Sequence, residues 1–181
     1  MVINSICVFC GASPGNKAIY MDAATSFGTE LGQHGIHLVY GGGGSGLMGC
    51  VADSALKAGG EVTGVIPNYL KDRELGHQKL TNLEIVNSMH ERKKRMFDLA
   101  DGIVALPGGV GTLEEVLEIV TWKQLGMHDK PIILLNSSGY WERLNDLILN
   151  TITHGFAASQ TKDLYKMIAI PTEIIPALRT I

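Results

Sequence analysis

Short, continuously apolar runs recur along the chain, and between them apolar residues return at i, i+3, i+4 and i+7. The first pattern reads as strands buried on both faces, the second as helices with one apolar side. Strands are predicted over 2–10, 36–40, 62–66, 83–86, 103–106, 131–135 and 167–170. The first predicted helix carries Tyr20, Ala23, Ala24, Phe27 and Leu31, is capped by Ser13 or Asn16, and stops near Gly35. Further helices are predicted over 47–58, closed by Gly59 and Gly60, over 89–100, from about 112 to 125, over 140–152 and over 172–178. The stretch 68–82 is polar, without apolar periodicity, and reads as a long loop of the kind that often carries function. Strands and helices alternate throughout. The expected fold is therefore α/β: one domain spanning 1–181, doubly wound, with a mostly parallel sheet and helices on both faces.

Two strand-to-helix junctions are rich in glycine. Gly41, Gly42, Gly43, Gly44, Ser45 and Gly46 follow the second strand, and Pro107, Gly108, Gly109, Val110, Gly111 and Thr112 follow the fifth. A turn that opens a helix leaves backbone N–H groups unpaired at the positive end of the helix dipole, which makes an anion site. Glycines allow the ligand to approach the backbone. Ligands in such sheets lie outside the carboxyl ends of the strands. Both glycine turns, with Gly42 and Gly43 in the first, lie there, and so do Ser13 and the start of the helix carrying Arg92. The unexpected residue is Glu115. A carboxylate in the first turn of the helix, beside a phosphate turn, disfavours simple anion binding and points to chemistry.

Ser88 and Glu91 form a capping box that opens the helix over 89–100. Met89, Met96 and Ala100 make its inward stripe, flanked by Arg92 and Lys93, while Lys94 and Arg95 face away. Arg92 lies three residues after Met89 and four before Met96, and a buried charge needs partners. The helix that follows Pro107 has a second apolar side at Ile119 and Trp122, covered either by another subunit or by the C-terminal helices.

Composition narrows the function classes. Of the 181 residues 45% are hydrophobic and 18% charged, and the net charge of −3 gives no strong pull toward nucleic acid. No apolar run is long enough to span a bilayer and the N-terminus lacks a signal-peptide pattern, so a cytoplasmic protein without membrane contact is expected. The three cysteines fit a reducing compartment. Cys7 and Cys10 have C-x-x-C spacing, but within a strand they point to opposite faces, as core residues do. The six histidines are scattered without an H-E-x-x-H pair, and neither a metal nor a cofactor is expected.

The segments 89–96 and 107–115 resemble the M-H-E-R-K-x-x-M and P-G-G-x-G-T-x-x-E signatures of the LOG ("lonely guy") proteins, and residues 8–13 and 40–43 fit as well. The resemblance implies a Rossmann-like fold and hydrolysis of the N-glycosidic bond of purine nucleoside 5′-monophosphates. N6-substituted adenine nucleotides, or AMP, would yield free base (cytokinin or adenine) and ribose 5-phosphate. It also implies a homodimer. Members have been labelled lysine decarboxylases, but no lysine here sits in a recognisable pyridoxal phosphate setting. By motif position, Arg92 and Glu115 match the family's catalytic pair. Lys93, Gly109, Val110, Gly111, Thr112 and Thr121 match ligand-contacting positions, and Glu74 does so by loop spacing. Gly108 completes the phosphate turn, and Met89 is expected to form an apolar wall for adenine. Cleavage makes a sugar that is positive near C1′, as in glycosidases. Glu115 could orient the ribose, stabilise that cation, activate water or attack C1′. Arg92 could hold the phosphate or stabilise the departing base. The alternatives to hydrolysis are a non-catalytic AMP-type binding module and a ribosyl transferase.

Overall fold

The computed structural model describes residues 2–70 and 76–180. Its strands are β1 (Ser5–Phe9), β2 (His37–Tyr40), β3 (Val62–Pro67), β4 (Asn82–Val86), β5 (Gly102–Ala105), β6 (Ile132–Leu135) and β7 (Lys166–Ile168). Its α-helices are α1 (Ala18–Gln33), α2 (Gly46–Lys57), α3 (Met89–Asp98), α4 (Val110–Gln124), α5 (Glu142–Thr153) and α6 (Ile174–Thr180). The strands form one sheet in the order β4-β3-β2-β1-β5-β6-β7, every neighbouring pair parallel. The chain winds outward from β1 to β4, crosses back through α3 to β5, and winds out the other way to β7. Right-handed crossovers in opposite directions place their helices on opposite faces. Phe27 and Leu31 of α1, Val51 of α2 and Leu178 of α6 pack on one face with Ile6, Val8 and Tyr40. Met96 of α3, Val116 and Ile119 of α4 and Trp141 before α5 pack on the other with Cys7, Phe9 and Val39. Cys7 and Cys10 fall in different clusters, as their spacing in a strand requires.

The elements expected from the sequence are present, with their ends trimmed by partners that the pattern does not show. β1 is shorter than 2–10. Pairing starts at Ser5↔His37 and stops after Phe9, where Gly11 N donates to Pro107 O at 3.0 Å and the chain turns. Neither Ser13 nor Asn16 caps α1. The cap is Lys17, without a side-chain hydrogen bond, because residues 13–16 form part of a cavity rim. The second apolar side of α4 is covered within the chain: Ile119 is buried and Trp122 packs edge-on against Phe97, with ring centroids 5.4 Å apart.

Asp101, just before β5, ties down the start of β1. Its carboxylate accepts from Asn4 N at 2.8 Å, Ser5 N at 3.0 Å and Ser5 Oγ at 3.1 Å. Hydrogen bonds to a charged group contribute about 1.5–3 kcal/mol. Asp101→Ala should therefore lower unfolding free energy by about that amount in urea titration while leaving nucleotide binding unchanged, since Asp101 lies at the opposite end of the sheet from the strands' carboxyl ends.

Candidate active site

Strand order reverses between β1 and β5, so the connections leaving these two strands diverge and open a crevice at their carboxyl ends. A cavity of about 580 Å³ occupies this position. Its walls come from the end of β1 and the loop after it, the β5–α4 turn, the first turns of α2 and α3, and Tyr140.

Arg92 reaches the cavity from α3. The capping box forms with one shift. Ser88 Oγ accepts from Glu91 N at 3.1 Å, but the Glu91 carboxylate accepts from Asn87 N, at 2.8 Å, one residue before the cap. Four residues after the cap, Arg92 is only 4% exposed. Its Nε donates to Val65 O at 3.1 Å and its Nη2 to Gly41 O at 2.7 Å; Nη1 lies 3.7 Å from Met89 Sδ. The two carbonyls belong to β3 and the residue after β2, so the guanidinium is pinned across the sheet's carboxyl edge. A Cβ on Gly41 would stand 2.0 Å from Nη2, which explains a glycine there.

Glu115 lines the same cavity from α4. The helix begins at Val110, with Gly109 as its cap and no acidic residue in its first turn. Glu115 therefore belongs to the second turn, a correction to the expected first-turn position, and the dipole acts mainly on the first turn. The first intrahelical bond is Leu113 N to Gly109 O, at 3.1 Å, which leaves the Val110, Gly111 and Thr112 amides without carbonyl partners inside the helix. Gly108, Gly109, Gly111 and Thr112 line the cavity. The Val110 side chain is 82% exposed and away from the lining, so only its backbone is available to a ligand. A Cβ on Gly108 would stand 2.1 Å from Thr112 Oγ1, so the turn closes only without one.

The second glycine turn is not a comparable site. The Leu47 and Met48 amides at the start of α2 donate to Gly11 O at 3.0 and 3.3 Å, and Ser45 Oγ donates to Ala12 O. A backbone carbonyl of the β1–α1 loop already occupies this anion position. Gly42 packs on β3 with φ +76° and Gly43 bridges to Gly76; of this turn only Gly41 lines the cavity, together with the α2 residues Leu47 and Met48.

Among the other sequence-predicted residues, Ser13 and Met89 line the cavity. Lys93 does not. It is buried on the other side of α3, with Nζ 2.5 Å from Glu114 and 2.9 Å from Glu118. Thr121 is exposed and donates to Leu117 O at 2.7 Å, away from this chain's cavity. Glu74 lies outside the described residues. Tyr20, Leu70 and Tyr140, which no sequence pattern singled out for the site, complete the walls together with Gly41 of the first glycine turn. The strand-end rule, applied to β6 as well as to β1 and β5, would have pointed to Tyr140. Cys10 also lines the cavity, but burial first and the Glu115 charge second push its thiol pKa far up, against a smaller opposing effect from Arg92. It stays a protonated thiol and not a nucleophile. Among the described residues no lysine lines the cavity, so none of them could form a Schiff base there.

Fold and cavity together define a Rossmann-like α/β protein with its site at the topological switch point, an arrangement typical of nucleotide binding. A solved molybdenum cofactor binding protein from Rippkaea orientalis shares the fold, with TM-score 0.74 and 19% identity over 99% of this chain and 98% of that one. Closer in sequence is the cytokinin riboside 5′-monophosphate phosphoribohydrolase LOG1 of Arabidopsis thaliana, 44% identical over 173 residues, 96% of this chain and 81% of the relative. LOG4 of the same plant is 47% identical over 167 residues, 92% and 77% respectively. The family model described as "Possible lysine decarboxylase" matches residues 48–178. The chain belongs to the LOG family of cytokinin riboside 5′-monophosphate phosphoribohydrolases.

The Lys93 cluster gives a pH-dependent test. Burial alone would lower the Lys93 pKa, but the hydrogen bonds and charges of Glu114 and Glu118 outweigh it and raise the pKa above the ordinary 10.5. A raised folded-state pKa means the folded chain holds the proton more tightly than the unfolded one. The stabilisation is complete below 10.5 and disappears as pH climbs through the raised value. Lys93→Met should cost about 1–2 kcal/mol at pH 8, a partly exposed pair falling between the surface and buried ranges. Its deficit relative to wild type should shrink at pH 11 in paired denaturant titrations.

Proposed function

We propose that the chain hydrolyses the N-glycosidic bond of cytokinin riboside 5′-monophosphates, releasing the free base and ribose 5-phosphate, with AMP as a second substrate. The observation that carries this reading is convergence. Arg92 and Glu115, from two helices, meet the open amides of the α4 turn in one cavity. The phosphate sits on the 110–112 amides with the Thr112 hydroxyl beside it. Glu115 stands about one helical turn further on, roughly 5 Å along the axis, which suits a ribose extending from its 5′-phosphate.

In the reaction the C1′–N9 bond breaks with its electron pair leaving on the base, the water oxygen bonds C1′ to leave a hydroxyl there, and the proton the water gives up ends on a nitrogen of the released base. The Glu115 carboxylate orients the ribose and stabilises the positive charge growing at C1′. Arg92, already fixed by two carbonyls, positions the nucleotide and offsets negative charge on the departing base without reorganising. The apolar side chains of Leu47, Met48, Leu70 and Met89 suit an adenine ring carrying an apolar N6 substituent.

A homodimer is part of the proposal. Leu117 of α4 and its C-cap Leu125 are 41% and 69% exposed, with Met127 just beyond at 64%, an apolar surface along the helix that carries Glu115. Among the described residues no helix is long and apolar enough to cross a membrane. Cys7, Cys10 and Cys50 are all free thiols, which fits the reducing cytoplasm.

Incubation with isopentenyladenosine monophosphate or AMP should release free base, resolved by liquid chromatography. Glu115→Gln and Arg92→Ala should each lower kcat by about a hundredfold or more. Wild-type turnover by Glu115→Gln would remove the carboxylate from the mechanism. Tight nucleotide binding with no base released would make the protein a binding module, and a new nucleotide on adding a second purine would make it a transferase. In sedimentation at micromolar concentration the wild type should run as a dimer and Leu125→Asp should shift toward monomer; a wild-type monomer would overturn the dimer.

A further inference from the structure

We infer that Tyr140 is a positioning residue for the phosphate turn, acting through the Gly108 carbonyl; this rests on the reading of the site given above. Tyr140 stands in the connection between β6 and α5, and its ring lines the cavity. Its hydroxyl donates a short hydrogen bond to Gly108 O. Gly108 is the residue before the cap of α4, so that bond fixes the plane of the Gly108–Gly109 peptide. In a planar trans peptide the carbonyl and the following N–H point opposite ways, so holding Gly108 O also sets the direction of the Gly109 N–H. The bond has a second effect. An uncovered carbonyl oxygen beside a phosphate repels it, and the tyrosine hydroxyl covers this one with a donor.

The rest of the 136–141 segment holds the tyrosine in place. Ser138 has φ +58°, the left-handed region, and is the only non-glycine residue there among the described residues. Side chains are held in that region only where the surroundings impose it, and such sites cluster around function. Here the constraints are visible. Lys17 Nζ, from the cap of α1, donates to Ser138 Oγ at 3.1 Å. Asn136 Oδ1 accepts from Trp141 N at 2.8 Å, and Asn136 N donates to Ile168 O of β7 at 2.7 Å. Trp141 is fully buried next to the tyrosine. Tyr20 of α1 meets the Tyr140 ring edge-on, with centroids 5.8 Å apart. The connection is thus anchored to α1, β7 and the core, and the hydroxyl of its cavity-lining residue, Tyr140, is directed at the turn.

Tyr140→Phe keeps the ring and its edge contacts and removes only the donor. Competitive inhibition separates the effects, using ribose 5-phosphate as the probe for the turn and adenine as the probe for the base wall. The expected result is an inhibition constant for ribose 5-phosphate raised about tenfold, the scale of one hydrogen bond. The adenine constant should be unchanged, KM for the nucleotide raised, and kcat within about twofold. Both constants unchanged, or both raised together as in a general loosening, would overturn the positioning role while leaving the hydrolase intact. If the wild type neither releases base nor binds ribose 5-phosphate, the reading of the site falls and this role falls with it.

Discussion

A guanidinium taken out of water must direct its donors at protein acceptors, and Arg92 finds them in the carbonyls of Val65 and Gly41. Those carbonyls are available because β2 stops at Tyr40, opposite Gly64, while β3 runs on to Pro67, so beyond that point the ladder between the two strands has no further partners. The arrangement binds α3 to the edge it crosses on its way from β4 to β5. It also places a permanent positive charge at the switch point with a fixed orientation. The glycine at position 41 and the approach of Met89 Sδ to the guanidinium both follow from seating that one side chain.

The two glycine turns show how similar sequences acquire different roles. Both join a strand to a helix, and both open amides toward the carboxyl edge. At α2 the Gly11 carbonyl moves in and takes two of the amides; at α4 no backbone carbonyl of the described residues outside the helix does. The difference lies in the β1–α1 loop, which is remote in sequence from both turns. Gly11 serves both sides, its N–H bound to Pro107 O and its carbonyl bound to the α2 amides. The loop therefore closes one anion site as it shapes the other.

Adjacent residues on α3 diverge in the same way. Arg92 and Lys93 flank one apolar stripe, and both are buried. Steps of 100° around the helix axis turn Arg92 to the strand ends and Lys93 toward α4, where Glu114 and Glu118 neutralise it. Glu114 and Glu115 divide likewise between the ion pair and the cavity. Two neighbouring pairs thus each contribute one residue to the cavity and one to helix–helix attachment.

Periodicity determined the alternation of strands and helices, the helices on both faces, the separation of Cys7 from Cys10 and the inward lean of Arg92, and the chemistry of a glycine turn opening a helix made the 107–112 turn and Glu115 prominent. Each of these depends on neighbours within a few positions, where side-chain direction follows from backbone geometry. The tertiary structure decided what depends on distant chain. It set the strand order that opens the crevice between β1 and β5, the filling of the α2 turn by Gly11, the inward seating of Ile119, and the turning of Lys93 and Thr121 away from the cavity. It also brought Tyr140 to Gly108 across 32 residues. Hydrogen bonds and packing between remote segments leave no periodic trace, so no local pattern in the sequence could have carried them.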